Sequence, residues 1–98
     1  MNMDKTIKIE NESAVNFLES LAYEVNARKD LLAYMLQNGT KPEDENFQAY
    51  HKEYQEFFVQ YEAAKANFEK EYVRPHGESL AWSLDYATRG LTLKGLPA

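Results

Sequence analysis

One row of residues limits what this chain can fold into more than any other feature. Phe47, Tyr50, Tyr54, Phe57, Tyr61, Ala64, Phe68 and Tyr72 recur at spacings of 3-4-3-4-3-4-4. An α-helix completes a turn every 3.6 residues, so this spacing keeps the whole row on one side of a helix. The row predicts a helix over residues 43–73, about 40 Å long at about 1.5 Å per residue. Pro42 suits its first position, where the missing N–H would have no helical partner in any case. Glu43, Asp44 and Glu45 place negative charge at the positive helix end, and Pro75 stops the helix.

The preceding segment supplies a second amphipathic helix, expected over residues 12–38. Val15, Leu18, Ala22, Val25, Leu32 and Leu36 form one apolar row, broken at Lys29. Ala14, Phe17, Leu21, Val25, Arg28, Leu32 and Met35 form its neighbour, broken at Arg28. Together they make one broad stripe. Asn11 or Ser13 can cap the start, since either side-chain oxygen can accept an unpaired backbone N–H. Asn38-Gly39 ends the helix, with glycine free to take the left-handed conformation. The connection Thr40-Lys41-Pro42 is short, so the helices must return antiparallel as a hairpin.

The ends read differently. Ile7 and Ile9 alternate with polar residues, the period of a half-buried strand, expected over residues 5–10. Between residues 80 and 94, Leu80, Trp82, Leu84 and Tyr86 alternate with small or polar residues. Arg89-Gly90 is a turn candidate, and Leu91-Thr92-Leu93 alternates again. This predicts a β-hairpin or two short strands, to which the N-terminal strand can add. The competing reading is a short helix capped by Ser79 and running to Tyr86. The expected fold class is therefore mainly α: a long antiparallel two-helix hairpin with short β-strands at both ends, a small α+β protein in one domain of 98 residues.

Recognisable chemistry is sparse. There is no cysteine, which removes disulfides, thiolate metal sites and a cysteine nucleophile. His51 and His76 lack the Glu-x-x-His spacing of a di-iron bundle: Gln48 and Val73 stand where the glutamates would be. They read as a helix-surface and a turn histidine. The carboxylates, Glu53 with Glu56 and Glu69 with Glu71 included, read as solvated helix faces rather than acid–base pairs. Arg28 and Lys29 interrupt the apolar rows either as snorkelling side chains or, for one of them, as partner to a glutamate of the second helix. No phosphate loop, nucleophile elbow or dinucleotide fingerprint occurs. The expectation is a non-enzymatic protein with no cofactor, no metal and no catalytic residue.

Partners are suggested by an excess of aromatic surface. Eight of the thirteen aromatic residues lie on the second helix, and a two-helix hairpin has only one internal seam. Phe57 and Phe58 are adjacent, about 100° apart, so they cannot both point into it. Phe17 and Tyr23 lie beside or away from the main row of the first helix. Tyr50, Tyr54, Phe57, Phe58, Tyr61, Trp82 and Tyr86 are the candidate interface residues, since tyrosine and tryptophan bury area while tolerating water. The partner is expected to be another copy or a larger assembly, with the terminal strands able to add to a neighbour's sheet edge.

The net charge of −5 disfavours direct contact with nucleic acid or an anionic membrane. No apolar run suggests a signal peptide or a membrane span, so the expected setting is cytoplasmic, or a virion if the protein is phage-encoded. Three functions compete. The first is a structural or adaptor subunit, such as a bacteriophage capsid-associated protein. The second is an acidic inhibitor imitating nucleic acid, suggested by eight acidic against three basic residues between Glu43 and Glu71. The third is an accessory chaperone or maturation factor for one client.

Overall fold

The computed structural model describes residues 2–77 and 80–97. In chain order its elements are β1 (Asn2–Lys8), α1 (Glu12–Gln37), α2 (Glu45–Phe68), a π-helical turn (Glu69–Val73), a 3-10 turn (Arg74–His76), β2 (Ala81–Asp85) and β3 (Gly90–Pro97). This is the small α+β fold with a helical hairpin that the periodicities predict. The chain forms two compact units: Met1–Glu19 with Ala64–Ala98, and Ser20–Ala63.

The unit Ser20–Ala63 holds the turn of the hairpin and is closed by well-formed caps. α1 ends in a Schellman motif: Thr40 N–H donates to Met35 O at 2.9 Å and Gly39 N–H to Leu36 O at 3.2 Å. Gly39 takes φ 87°, where a side chain would strain the backbone, so glycine here sets the stop. α2 starts at Glu45, two residues after the start expected at residue 43. Asp44 N–H donates to Lys41 O at 3.0 Å, which folds Pro42 and Glu43 into a turn. The Asp44 carboxylate then accepts the N–H groups of Asn46 (2.8 Å) and Phe47 (3.1 Å). Asp44 is thus the N-cap, and Pro42 fixes the turn before it.

The seam of this unit buries Leu21, Val25 and Leu32 from α1 and Phe47 from α2. Where the row reaches residue 28, an arginine stands in place of an aliphatic side chain. Arg28 Nε donates to Glu53 Oε1 at 2.8 Å and Arg28 Nη2 lies 2.6 Å from the same oxygen. Arg28 Nη1 also bonds Glu24, one turn earlier on its own helix, and the Arg28 guanidinium lies 4.0 Å from the centre of the Phe57 ring. Of the two readings of this position, the ion pair with the second helix is the one realised. Burial pulls the Arg28 pKa down, but the hydrogen bonds and charges of Glu24 and Glu53 outweigh it and hold the guanidinium above its ordinary value.

The other unit is built on an antiparallel sheet of order β1-β3-β2. Ile7 and Leu84 lie opposite Leu91, and Trp82 opposite Leu93. Opposed residues share a face, so these side chains form one apolar face. Thr6, Thr92 and Ser83 occupy the other, where the Thr6 and Thr92 hydroxyls meet at 2.9 Å. Leu91 and Leu93 are fully buried, and the core is completed by Ile9, by Val15 and Leu18 of α1, and by Phe68 and Val73. Phe68 stacks on Trp82 at 5.4 Å between ring centres. At the start of α1, Asn11 Oδ1 accepts the Ala14 N–H at 3.2 Å, so Asn11 is the cap and Ser13 lies inside the helix.

Several local expectations need correction. β1 occupies residues 2–8 rather than 5–10, and Ile9 follows the strand, its N–H bonded to Arg89 O at 2.9 Å. The β2–β3 turn is Tyr86–Arg89, with Arg89 at φ 62°; the left-handed position falls on the arginine rather than on Gly90. The Asp85 carboxylate organises the turn by accepting the N–H groups of Ala87 and Thr88. β3 reaches residue 97 because a bulge continues the ladder: one β1 residue faces two of β3, Lys94 and Gly95, and Gly95 takes φ 75°. Residues 81–85 form the expected strand, which excludes there the competing helix running to Tyr86; its proposed cap, Ser79, lies outside the described residues. All three strands pair within the chain, which counts against their donation to a neighbour's sheet.

Candidate protein-binding surfaces

The predicted interface residues divide between the two units. In the hairpin unit Tyr50 and Phe58 are exposed, while Tyr54, Phe57 and Tyr61 are half-buried. In the sheet unit Trp82 and Tyr86 are half-buried, Trp82 against Phe68 and Tyr86 in the β2–β3 turn. Phe57 is occupied within the hairpin, because its ring lies under Arg28.

Phe58, one residue on, belongs to a different surface. The rings of Phe47, His51, Tyr54 and Phe58 follow one another along α2 at 6.1, 6.3 and 6.0 Å between centres. The spacing of 4-3-4 residues places them in a rail on one flank of the seam, and the 100° step from Phe57 to Phe58 separates the rail from the Arg28–Glu53 flank. His51 is a link in this rail, a role that its spacing from carboxylates does not reveal. Phe47 anchors the buried end, and Phe58 keeps 42% of its surface exposed.

On α1 the outward side carries Tyr23 (70% exposed), Tyr34 (64%) and Leu31. Tyr34 and Leu31 are additions to the candidate surface. Their signal in the sequence is that they fall off both apolar rows, as Tyr23 does, yet recur with it at helical spacing on a shared side.

In the sheet unit, an apolar groove of about 150 Å³ lies between the first turns of α1 and the end of α2. Ala14, Leu18, Ala64 and Phe68 supply apolar lining, and Phe17 and Tyr72 stand as aromatic walls. Asn67 and Glu71 are its polar lining residues, both exposed. The π-helical turn contributes Glu71 and Tyr72. Tyr72 follows Phe68 by four residues and lies beside it, with 4.7 Å between ring centres. The break in periodicity is visible in the sequence, where the alternating 3-4 spacing ends in two successive fours at Ala64-Phe68-Tyr72.

Among the described residues no three histidine or acidic side chains are grouped to hold a metal ion. His76 is exposed in the 3-10 turn. No helix among the described residues is long and apolar enough to cross a membrane. Comparison of the chain with protein-family models, with curated proteins and with solved structures gives no match.

Proposed function

We propose that this protein is a non-enzymatic structural or adaptor subunit that works through protein–protein contacts of its helical hairpin within a larger assembly. A capsid-associated component of a phage particle is one concrete form of this reading. The observation that carries it is aromatic exposure on the hairpin unit. Tyr23 and Tyr34 project from α1, and the ring rail on α2 ends in Phe58. Scattered exposed apolar residues are ordinary, but large aromatics repeated along helix faces are the composition of contact surfaces.

The test combines two measurements. Light scattering behind a sizing column gives the molar mass over a range of concentrations. Affinity capture with the wild type and with the triple variant Tyr23→Ser, Tyr34→Ser, Phe58→Ser gives the partner. The expected result is a multimer, or a stoichiometric protein partner that survives high salt and is lost with the triple variant. A chain that stays at 11.4 kDa throughout and retains no partner overturns the reading. A partner released by salt alone favours the acidic-inhibitor alternative.

A further inference from the structure

The groove of the sheet unit has the size, lining and charge of a socket for one side chain. Its volume is about 150 Å³, on the scale of one side chain, and it opens to solvent past Phe17, Asn67 and Glu71. It exists because Ala14 and Ala64 are small where the two helical segments border it. The aliphatic and aromatic lining offers an apolar ligand contact area without asking it for hydrogen bonds. Pockets filled by one large anchor side chain dominate the energetics of many protein contacts.

We propose that this groove seats a single large apolar side chain from a partner protein segment that carries an arginine or lysine next to that anchor. The inference rests on the protein-contact reading above and names the chemistry of the partner. Charge complementarity argues for it. The lining includes the Glu71 carboxylate and no cationic residue, and the chain as a whole carries −5. A second copy would bring another −5 to the contact. A cation beside the anchor would meet the Glu71 carboxylate in a groove that Phe17 and Tyr72 also line. The molecule already contains that arrangement at Arg28, which meets the Glu53 carboxylate while lying over the Phe57 ring. The π-helical turn that sets Glu71 and Tyr72 at the groove is the kind of helix irregularity that recurs at functional sites.

Three probes with one apolar body test this: phenylbutylammonium, phenylbutanol and phenylbutyrate, titrated into the full chain while backbone amide shifts are followed by NMR. The expected result is movement of the Ala14, Leu18, Ala64 and Tyr72 amides. The cation should bind about threefold more tightly than the alcohol, as one partly exposed ion pair provides, and the carboxylate most weakly. Glu71→Gln, at an exposed position, should bring the three affinities together. Phe17→Ser should weaken all three. If no probe moves these amides, or if the wild type does not rank them by charge, the proposal is overturned. The underlying reading fails separately, by a chain that both stays monomeric and captures no partner. A partner captured equally well by Phe17→Ser removes the groove and leaves that reading standing.

Discussion

The Arg28 guanidinium joins the two helices of the hairpin from a position that an aliphatic side chain would fill in an uninterrupted row: it bonds Glu53 at 2.8 Å and covers Phe57 at 4.0 Å. Both contacts belong to one planar group, so geometry as well as charge is required. Arg28→Lys keeps the charge but loses the fork and the stacking. It should destabilise the chain by about 1 kcal/mol, and Arg28→Ala by about 1–2 kcal/mol, since exposed pairs and cation–π contacts each contribute about 0.5–1 kcal/mol. Urea midpoints measure both. A double-mutant cycle with Glu53→Gln isolates the cross-helix part.

The direction of the Arg28 shift fixes how this contribution responds to alkali. A cation whose pKa is higher in the folded state stabilises fully below its unfolded value and loses that stabilisation only as pH rises through the folded value. For a guanidinium that range lies far above neutrality. The stability lost in Arg28→Ala should therefore be constant between about pH 7 and pH 10, because arginine stays protonated throughout. A loss that shrinks across that interval would show that another group carries the coupling.

At the hairpin tip two residues set the chain direction by different means. A β-carbon on Gly39 would meet no atom within 4 Å, but the backbone there is at φ 87°. Gly39→Ala should therefore cost about 1–2 kcal/mol from strain alone, and Gly39→Asn less. Asp44→Ala removes the acceptor for two N–H groups and should cost about 1 kcal/mol, while Asp44→Asn should retain most of the cap. Thermal unfolding of the four variants separates strain from lost hydrogen bonding.

The core of the sheet unit is less forgiving. Leu91 is fully buried in β3 between Ile7 and Leu84, and Leu91→Ala should cost about 2–5 kcal/mol by leaving a cavity. Tyr23→Ser, on an exposed helix face, should change stability by about 0.5 kcal/mol or less. Chemical denaturation that ranks these two in the opposite order would contradict the burial pattern.

Much of the fold is legible in the residues, and the errors have physical causes. α1 follows its apolar rows to within one residue, since Asn11 and Asn38-Gly39 mark its ends chemically. The start of α2 shifts because Pro42 fits both a first helical turn and a β-turn; the Asp44 side chain decides between them. β1 begins early because Asn2 and Met3 pair through backbone groups, which leave no mark in the side-chain pattern. The bulge at Gly95 is likewise a property of register, fixed by the partner strand. The excess of aromatics predicts that some must be exposed, and the Phe57–Phe58 adjacency separates the two flanks of α2. The groove is not legible, because it is lined by two alanines distant in sequence that border one space only after folding.

The pairing of Ile7 with Leu91 imposes a timetable on folding. The hairpin closes through a short turn, and its contacts form between segments that are near in sequence. The sheet must wait for β3, because that strand pairs with both of the others. Contacts over such separations carry a larger loop-closure cost and form slowly. A chain still lacking β3 holds Ile7 and Trp82 without the strand that places them in one sheet, and uncovered segments of this kind are prone to aggregation. The final strand therefore completes the core and also ends the interval in which the chain is vulnerable.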